Sequence, residues 1–438
     1  MTRVRMFTGA TFASLRVRNF RLFFVGQGIS QVGTWLNMIA QTLLVLRLTD
    51  SGVALGLLAA AQFGPVLLFG AWAGVLADRS DKRRLLIHVQ TLSVVQGLAM
   101  AALATMSSPP LAAVYALAVA SGVLTAFDNP ARRSFVVEMV PDDQVTNAVS
   151  LNSALMTGAR VVGPALAGLL VLTLGFAWTF VFGALSRLAV ISGLARMRTE
   201  DLRPSPVLER AKGQIRAGLR YTAGAPVLWI PLVMVAVVGT LAFNFQVVFP
   251  LFVRDDLGQP ESAFTLLYSV VSLGSFVGAL AVARRSGTTV RFVAASAVAF
   301  GVAMALLAIA PNQGIAFVVG PLIGISSIAF MTSATAIVQM EAVPEMRGRV
   351  LALQAMVFLG STPIGGPIVG WVAEEFGARW SIALGAAACL LAGLWGLLAG
   401  GRGAEGSGSE RPAGTPSGVE GDGVGTGSPT RTPQMSGA

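Results

Sequence analysis

Cysteine and histidine are almost absent from this chain of 438 residues. It holds one of each, Cys389 and His88. A disulfide within the chain, a zinc site and a Cys/His nucleophile pair therefore lack the residues that they need. No pair of carboxylates lies in the middle of an apolar run either. We therefore predict a protein with no metal site, no catalytic residues and no enzyme activity.

Charged residues are scarce as well. They make up 12% of the chain and hydrophobic residues 54%, whereas an average soluble domain is about 25% charged. A helix that crosses a bilayer needs about 20 mostly apolar residues, and runs of that length recur along the sequence. The twelve predicted spans are 22–46, 53–77, 85–106, 111–128, 148–173, 176–195, 227–252, 263–283, 291–310, 314–337, 350–373 and 379–400.

Arginine and lysine indicate how these spans are oriented. All but five of the 31 basic residues lie before the first span, in the loops after spans 2, 4, 6, 8 and 10, or in the C-terminal tail. Short basic loops stay on the cytoplasmic side of a membrane, so we expect both termini in the cytoplasm. The net charge of +10 then reflects topology and attraction to anionic lipid, with no nucleic-acid partner.

The two halves of the chain repeat each other at one constant spacing. The matching pairs are Leu151 and Leu353, Gly158 and Gly360, Gly168 and Gly370, Gly175 and Gly377, and Trp178 and Trp380. The sequence therefore predicts two six-helix bundles in parallel repeat. The predicted divisions are a cytoplasmic leader (1–19), an N-terminal bundle (20–195), a cytoplasmic linker (196–226), a C-terminal bundle (227–400) and a disordered tail (401–438).

A charged stretch, GVLADRSDKRRLL, separates spans 2 and 3. It resembles the signature between helices 2 and 3 of the major facilitator superfamily of secondary transporters, except that Asp81 stands where the signature has glycine. The matching residues are Gly74, Asp78, Arg79, Lys82 and Arg83. This resemblance implies an all-α membrane protein with twelve transmembrane helices in two pseudo-symmetric six-helix bundles.

Further stretches between residue 18 and about residue 400 resemble one branch of this superfamily. They are RNFRLFFVGQGISQVGTWLNMIAQ, LTDSGVALG, DNPARRSFVVEMVP and PEMRGRV. The branch contains enterobactin-type siderophore exporters and macrolide or multidrug efflux proteins. It implies a monomer in the cell membrane that exports small amphipathic molecules by alternating access. An ion gradient, with protons as the expected ion, would take the place of a cofactor.

Two kinds of alternative stay open. One is an importer or an uncoupled facilitator on the same fold, and the other is a membrane sensor or scaffold that transports nothing. Gating residues and a polar cavity favour a transporter, since a scaffold would need neither.

The resemblance also implies a gate. Asp78 and Arg79 would join a charge network that ties span 2 to span 11 when the cytoplasmic side is closed. The helix dipole disfavours a carboxylate at the C-terminal end of span 2, so Asp78 needs a cation or a helix N-terminus as its partner. The start of span 11, after Arg349, can supply one. In the alternative interpretation, the basic residues of this loop only hold it in the cytoplasm.

Polar side chains share one face of span 1. They are Gln27, Gln31, Thr34, Met38 and Gln41, with Asn37 beside them. A stripe of this length predicts a water-filled substrate cavity, and hydrogen bonding between helices is the alternative.

Span 5 contains small residues and one arginine. Its Gly158, Gly163, Pro164 and Gly168 resemble the helix-5 pattern of drug/proton antiporters, although such residues also serve ordinary packing. Arg160 lies too deep to reach the surface. An arginine at the centre of a bilayer costs about 2.5–3.5 kcal/mol, so we expect it to face the cavity, unless Asp128 or a backbone carbonyl holds it.

No carboxylate is predicted in the middle of a span. Asp128 and Glu341, placed near cytoplasmic helix ends, are the remaining candidates for proton coupling. With Arg160 central and no acid near it, we expect anionic, zwitterionic or neutral amphipathic substrates rather than cationic ones.

Overall fold

The computed structural model describes residues 12–203, 214–260, 263–285 and 287–406. The first half contains α1 (Arg18–Thr49), α2 (Gly52–Arg79), α3 (Lys82–Leu103), α4 (Leu111–Glu138) and α5 (Val145–Ala195). The short helix α6 (Gln214–Ala223) lies in the linker. The second half contains α7 (Pro226–Leu241), α8 (Phe245–Leu251) followed by a π-helix at Phe252–Asp256, α9 (Ala263–Ala283), α10 (Val290–Ala308), α11 (Gln313–Glu341), α12 (Pro344–Phe376) and α13 (Ala378–Gly406).

Twelve crossings follow from these helices. In the described residues, eleven segments are long and apolar enough to cross a membrane. The longest of them includes α5, whose helical geometry breaks at Gly175 with φ 82° and ψ 177°. Its two arms, 145–174 and 176–195, correspond to predicted spans 5 and 6. The twelve-helix prediction is thereby confirmed.

The parallel repeat is visible in the backbone. Gly377 separates α12 from α13 with φ 96° and ψ 155°, close to the angles of Gly175. A positive φ of this kind is readily adopted only by glycine. The same turn thus joins spans 5 and 6 in one half and spans 11 and 12 in the other.

The turns between helices define two ends of the molecule. One end carries the start of α1, the α2–α3 turn, the α4–α5 turn and the linker. We call it the basic end, because most arginine and lysine residues belong to these and similar segments. The opposite far end carries the α1–α2 turn, Gly175, the π-helix, the α10–α11 turn and Gly377.

Helix α4 is longer than predicted. It continues through Pro130, Arg132 and Arg133 to Glu138, whereas the predicted span ended at Asp128. Proline and two charges made this stretch resemble a loop. A helix packed among neighbouring helices nevertheless tolerates the loss of the one backbone hydrogen bond for which proline has no N–H group. Asp128 therefore lies inside a helix, and the prediction that it lies near a helix end is wrong.

The domain divisions stay predictions. Part of the predicted linker is the helix α6, and residues 204–213 lie outside the described residues. So do residues 1–11 of the predicted leader and residues 407–438 of the predicted tail.

Candidate transport cavity and gates

The two bundles meet most closely where α2 and α12 cross at the far end. A methyl group added to Gly56 would lie 2.4 Å from the carbonyl oxygen of Gly366, and one added to Gly52 would lie 2.4 Å from that of Gly370. Backbones approach this closely only where side chains are absent. Glycines on both helices thus close the far end.

Polar contacts reinforce this closure. Glu374, near the end of α12, accepts hydrogen bonds from the Ser51 hydroxyl and, at 2.9 Å, from the Val53 backbone N–H. Both donors belong to the N-terminus of α2, where the helix dipole favours a carboxylate. Arg254, within the π-helix, forms an ion pair with Asp50 after α1. We call this set the far-end latch.

The centre of the interface holds Arg160. Its guanidinium carbon lies 5.7 Å from the ring centroid of Trp35, and that ring lies 5.6 Å from Tyr268 of α9. Arg160 is exposed, whereas Trp35 is buried. The partner that the structure gives Arg160 is thus an aromatic ring, within the cation–π range. Asp128, the alternative partner, has hydrogen bonds elsewhere.

The helix-5 residues differ in their surroundings. A methyl group on Gly163 would lie 2.4 Å from Cβ of Trp35, and one on Gly168 would lie 2.2 Å from the Thr265 hydroxyl oxygen of α9. Pro164 is buried beside Gly163. Gly158, one to two turns nearer the basic end, would meet nothing within 4 Å. This face of span 5 is therefore closely packed at Gly163 and Gly168 and open at Gly158.

The glycines of α2 and α12 differ in their surroundings in the same way. Added methyl groups on Gly70 of α2 and Gly348 of α12, both towards the basic end, would meet nothing within 4 Å. The close contacts between the bundles at Gly52 and Gly56 thus lie at the far end, whereas the glycines towards the basic end have open space where a side chain would begin.

The polar residues of the α1 stripe lie in different surroundings. Gln41 accepts from the Gln62 amide at 2.8 Å and donates to the Val114 carbonyl at 3.2 Å, so it joins α1 to α2 and α4. Asn37 fits between Gly97 of α3 and Gly183 of α5. Gln41 thus makes the interhelical hydrogen bonds of the alternative interpretation, whereas Asn37 packs between helices and its amide oxygen has no hydrogen-bond partner among the described residues.

Gln27, Gln31 and Thr34 line a pocket inside the N-terminal bundle. We call it the bundle pocket, and its volume is about 110 Å³. Helices α1, α3, α4 and the second arm of α5 enclose it. The lining residues are Gln27, Ser30, Gln31, Thr34, Gln90, Ser93, Ser121, Leu124, Thr125, Asp128, Asn129, Arg132 and Arg187.

A hydrogen-bonded network runs along one side of the bundle pocket. The carboxylate of Asp128 accepts from the Gln90 amide at 2.8 Å and lies 3.4 Å from Arg132. Arg132 also donates to Gln31 at 3.1 Å, and Arg187 donates to Gln90 at 3.0 Å. One carboxylate is thus linked to two arginines, on helices α4 and α5.

The predicted gating loop is held within its own bundle. Lys82 and Glu138 form a buried ion pair at 2.6 Å. Arg83 donates to the carbonyl oxygens of Leu194 and Ala195 at 2.7 and 3.0 Å, which caps the end of α5. Gly74 is buried, Asp78 is half-buried and Arg79 is exposed.

Asp81 has a local role. It accepts from the Arg84 backbone N–H at 3.0 Å as the N-cap of α3, a position that aspartate favours. This accounts for an aspartate where the signature has glycine.

Sequence reasoning missed several partners. Gln90, Arg132 and Tyr268 were not assigned to a site, nor was Glu374. The spacing of Asp128 and Arg132, four residues apart, would have indicated an ion pair had α4 been predicted to continue. Glu341 ends α11 at the basic end and is exposed.

We expect Asp78→Asn to slow transport about three- to tenfold, because the neutral side chain binds more weakly in the closed state of the basic end. The rate is measured in membrane vesicles with equal amounts of protein. Asp81→Asn is the matched control, since it removes the same charge but preserves an N-cap. Equal rates for Asp78→Asn and the unmodified protein would remove Asp78 from the gate.

The sequence model of a protein family described as "Transmembrane secretion effector" matches residues 9–405. The chain belongs to this family. It is part of the major facilitator superfamily, so the protein is a multi-pass membrane transporter and not an enzyme.

Known relatives agree with this membership. The chain is 24% identical to the staphyloferrin A transporter of Staphylococcus aureus, over 82% of this chain and 90% of that protein. It is 23% identical to macrolide efflux protein A of Streptococcus pyogenes, over the same shares. A solved structure with the same fold is a bacterial homologue of the human lysosomal transporter Spinster in an inward-facing, occupied conformation. Its TM-score is 0.70 at 14% identity, and the match covers 87% of this chain and 96% of that one.

Proposed function

We propose that this transporter exports small amphipathic molecules by alternating access, coupled to protons moving in the opposite direction. The observation that carries the proposal is the close contact of the bundles at the far end, held by the far-end latch, with open space at Gly70, Gly158 and Gly348 towards the basic end. A cavity open at one end only is what one state of an alternating-access cycle requires.

The charge distribution supports the orientation. Lys82, Arg83, Arg132 and those arginines of the linker that the structure describes lie at or towards the basic end. The positive-inside rule assigns such a side to the cytoplasm. The described conformation is then open to the cytoplasm, ready to load a molecule for export. An exporting direction also fits the efflux function in the name of one relative.

The central residues support the substrate class. Arg160 offers a positive charge, and Trp35 and Tyr268 offer aromatic surface beside it. This combination binds a molecule with an apolar body and an anionic, zwitterionic or neutral polar group. A cation would meet the charge of Arg160, which forms no ion pair with a carboxylate in the described part of the chain.

Asp128 is the best candidate for proton coupling. It lies inside α4, and its hydrogen bonds reach α1 through Arg132 and the second arm of α5 through Gln90. A proton on its carboxylate would weaken the pair with Arg132, so protonation can change how these helices pack. Glu341, exposed at a helix end, offers no comparable network.

Inside-out vesicles test the proposal. They are incubated with a panel of fluorescent hydrophobic drugs and with a catecholate siderophore, under an acid-inside gradient, with and without an uncoupler. We expect accumulation that the uncoupler abolishes. Equilibration that ignores the uncoupler would point to a facilitator, and accumulation only in right-side-out vesicles would point to an importer.

We expect Arg160→Gln to raise the KM for a transported anionic or zwitterionic substrate about tenfold. The substitution removes the positive charge that Arg160 holds beside the Trp35 ring. The control is Arg47→Gln, since Arg47 lies over Phe176 near the far end in a similar ring contact. Unchanged kinetics in Arg160→Gln, with normal protein levels, would exclude Arg160 from the substrate site.

A further inference from the structure

The bundle pocket carries more positive than negative charge. Its charged lining residues are Asp128, Arg132 and Arg187. Arginine stays protonated throughout the ordinary pH range, so the two guanidinium groups outnumber the single carboxylate whatever its state. An uncompensated charge inside a membrane-spanning bundle is costly. The pocket therefore favours a negative guest.

One strong donor is left unused. Arg132 divides its N–H groups among Gln31, Asn129 and Asp128. Arg187 donates to Gln90 through Nη1, but its Nε is buried and has no hydrogen-bond partner among the described residues. A buried guanidinium N–H without an acceptor destabilises the folded protein. An anion that accepts a hydrogen bond from it would remove this cost.

No neutral group among the described residues accepts a hydrogen bond from Arg187 Nε. The hydroxyls of Thr34, Ser93 and Thr125 each donate to a carbonyl one turn earlier in their own helix. The amide oxygens of Gln31 and Gln90 are already bonded to the two arginines. An acceptor for the N–H group of Arg187 Nε would therefore have to come from solution.

The size of the pocket sets the class of guest. A volume of about 110 Å³ holds several water molecules, or one small anion with part of its hydration shell. Leu124 is the one apolar residue of the lining, so an amphipathic substrate would find little apolar surface there. We propose that the bundle pocket binds a small monovalent anion of the chloride type, between Arg187 and Arg132. This binding is separate from the transport of substrate through the central cavity.

Thermal unfolding in two salts tests the site. The full-length protein in detergent is heated in sodium chloride and in sodium gluconate at equal ionic strength, and tryptophan fluorescence reports Tm. Gluconate has the same charge but is far larger. We expect Tm to be higher in chloride by about 2 °C or more, with a saturable dependence on chloride concentration.

Two variants make the test specific. Arg187→Gln should lose the chloride effect, whereas Arg47→Gln, which removes an arginine at the far end, should keep it. Equal Tm values of the unmodified protein in both salts would overturn the proposal. So would a chloride effect of full size in Arg187→Gln.

A second measurement covers the case in which Arg187→Gln does not fold. The unmodified protein should broaden the chloride-35 resonance of dissolved chloride, and added formate, but not gluconate, should reverse the broadening. Absence of broadening, or equal reversal by gluconate, would contradict a small-anion site.

Discussion

Asp128→Asn should abolish accumulation driven by a proton gradient, with a fall of at least tenfold, while downhill equilibration continues. Asparagine keeps the shape of aspartate and can still accept from Gln90, so the fold of the bundle is preserved. It cannot take up and release a proton, so the link between the gradient and the helices around Arg132 is broken. Both processes are measured in the same vesicles, with and without the gradient.

Glu341→Gln is the matched control for this prediction. It removes the other candidate carboxylate, which is exposed at the end of α11, and should leave accumulation unchanged. If Glu341→Gln lost coupling while Asp128→Asn kept it, the assignment of the proton site would be reversed. If both kept it, protons would not couple through either residue.

Gly56→Ala should reduce transport by about tenfold or more. Its methyl group would lie 2.4 Å from the carbonyl oxygen of Gly366 and 2.7 Å from Cα of Pro367, and neither backbone atom can move without shifting α12. The far end would then fail to close, and the cycle would lose the state open at the basic end. Initial rates in vesicles with equal protein levels measure the effect.

Gly70→Ala provides the control on the same helix. Its methyl group would meet nothing within 4 Å, so the same chemical change should have little effect on the rate. Equal rates for Gly56→Ala and Gly70→Ala would mean that close packing of α2 on α12 is not needed for transport.

The sequence predicted the membrane architecture well, because each span needs a long apolar run. The repeat of Gly175 at Gly377 also corresponds directly to a repeat in backbone geometry, since both positions have a positive φ, which favours glycine. The superfamily signature at Gly74 to Arg83 led to the family to which the chain belongs.

The site was less predictable, because it depends on which faces of the helices meet. The stripe of α1 gave one periodic pattern, yet Gln27 lines the bundle pocket while Gln41 joins α2 and α4. Periodicity defines a face of a helix but not the neighbours of that face. Pro130 in turn obscured the continuation of α4, and with it the pair of Asp128 and Arg132.

The predicted gate would give the two ends of α2 the same relation to α12. At the far end, Glu374 from the end of α12 binds the N-terminus of α2. The predicted gate at the basic end reverses these roles, with Asp78 from the end of α2 binding the start of α12. Formation of one contact and release of the other would alternate with the direction of opening, so the pair would account for a two-state cycle.

Distances between spin labels test alternating access most directly. One pair, at Met106 and Gly314, reports on the far end, and another pair, at Arg84 and Arg284, reports on the basic end. All four residues are exposed, and the native Cys389 is buried.

Glu374→Gln removes a negative charge from the N-terminus of α2. This charge is worth roughly 0.5–1 kcal/mol, so the ratio of the two states should change about two- to fivefold. We expect Glu374→Gln to lengthen the far-end distance and to shorten the basic-end distance. Changes in the same direction at both ends, or a change at one end alone, would contradict the account.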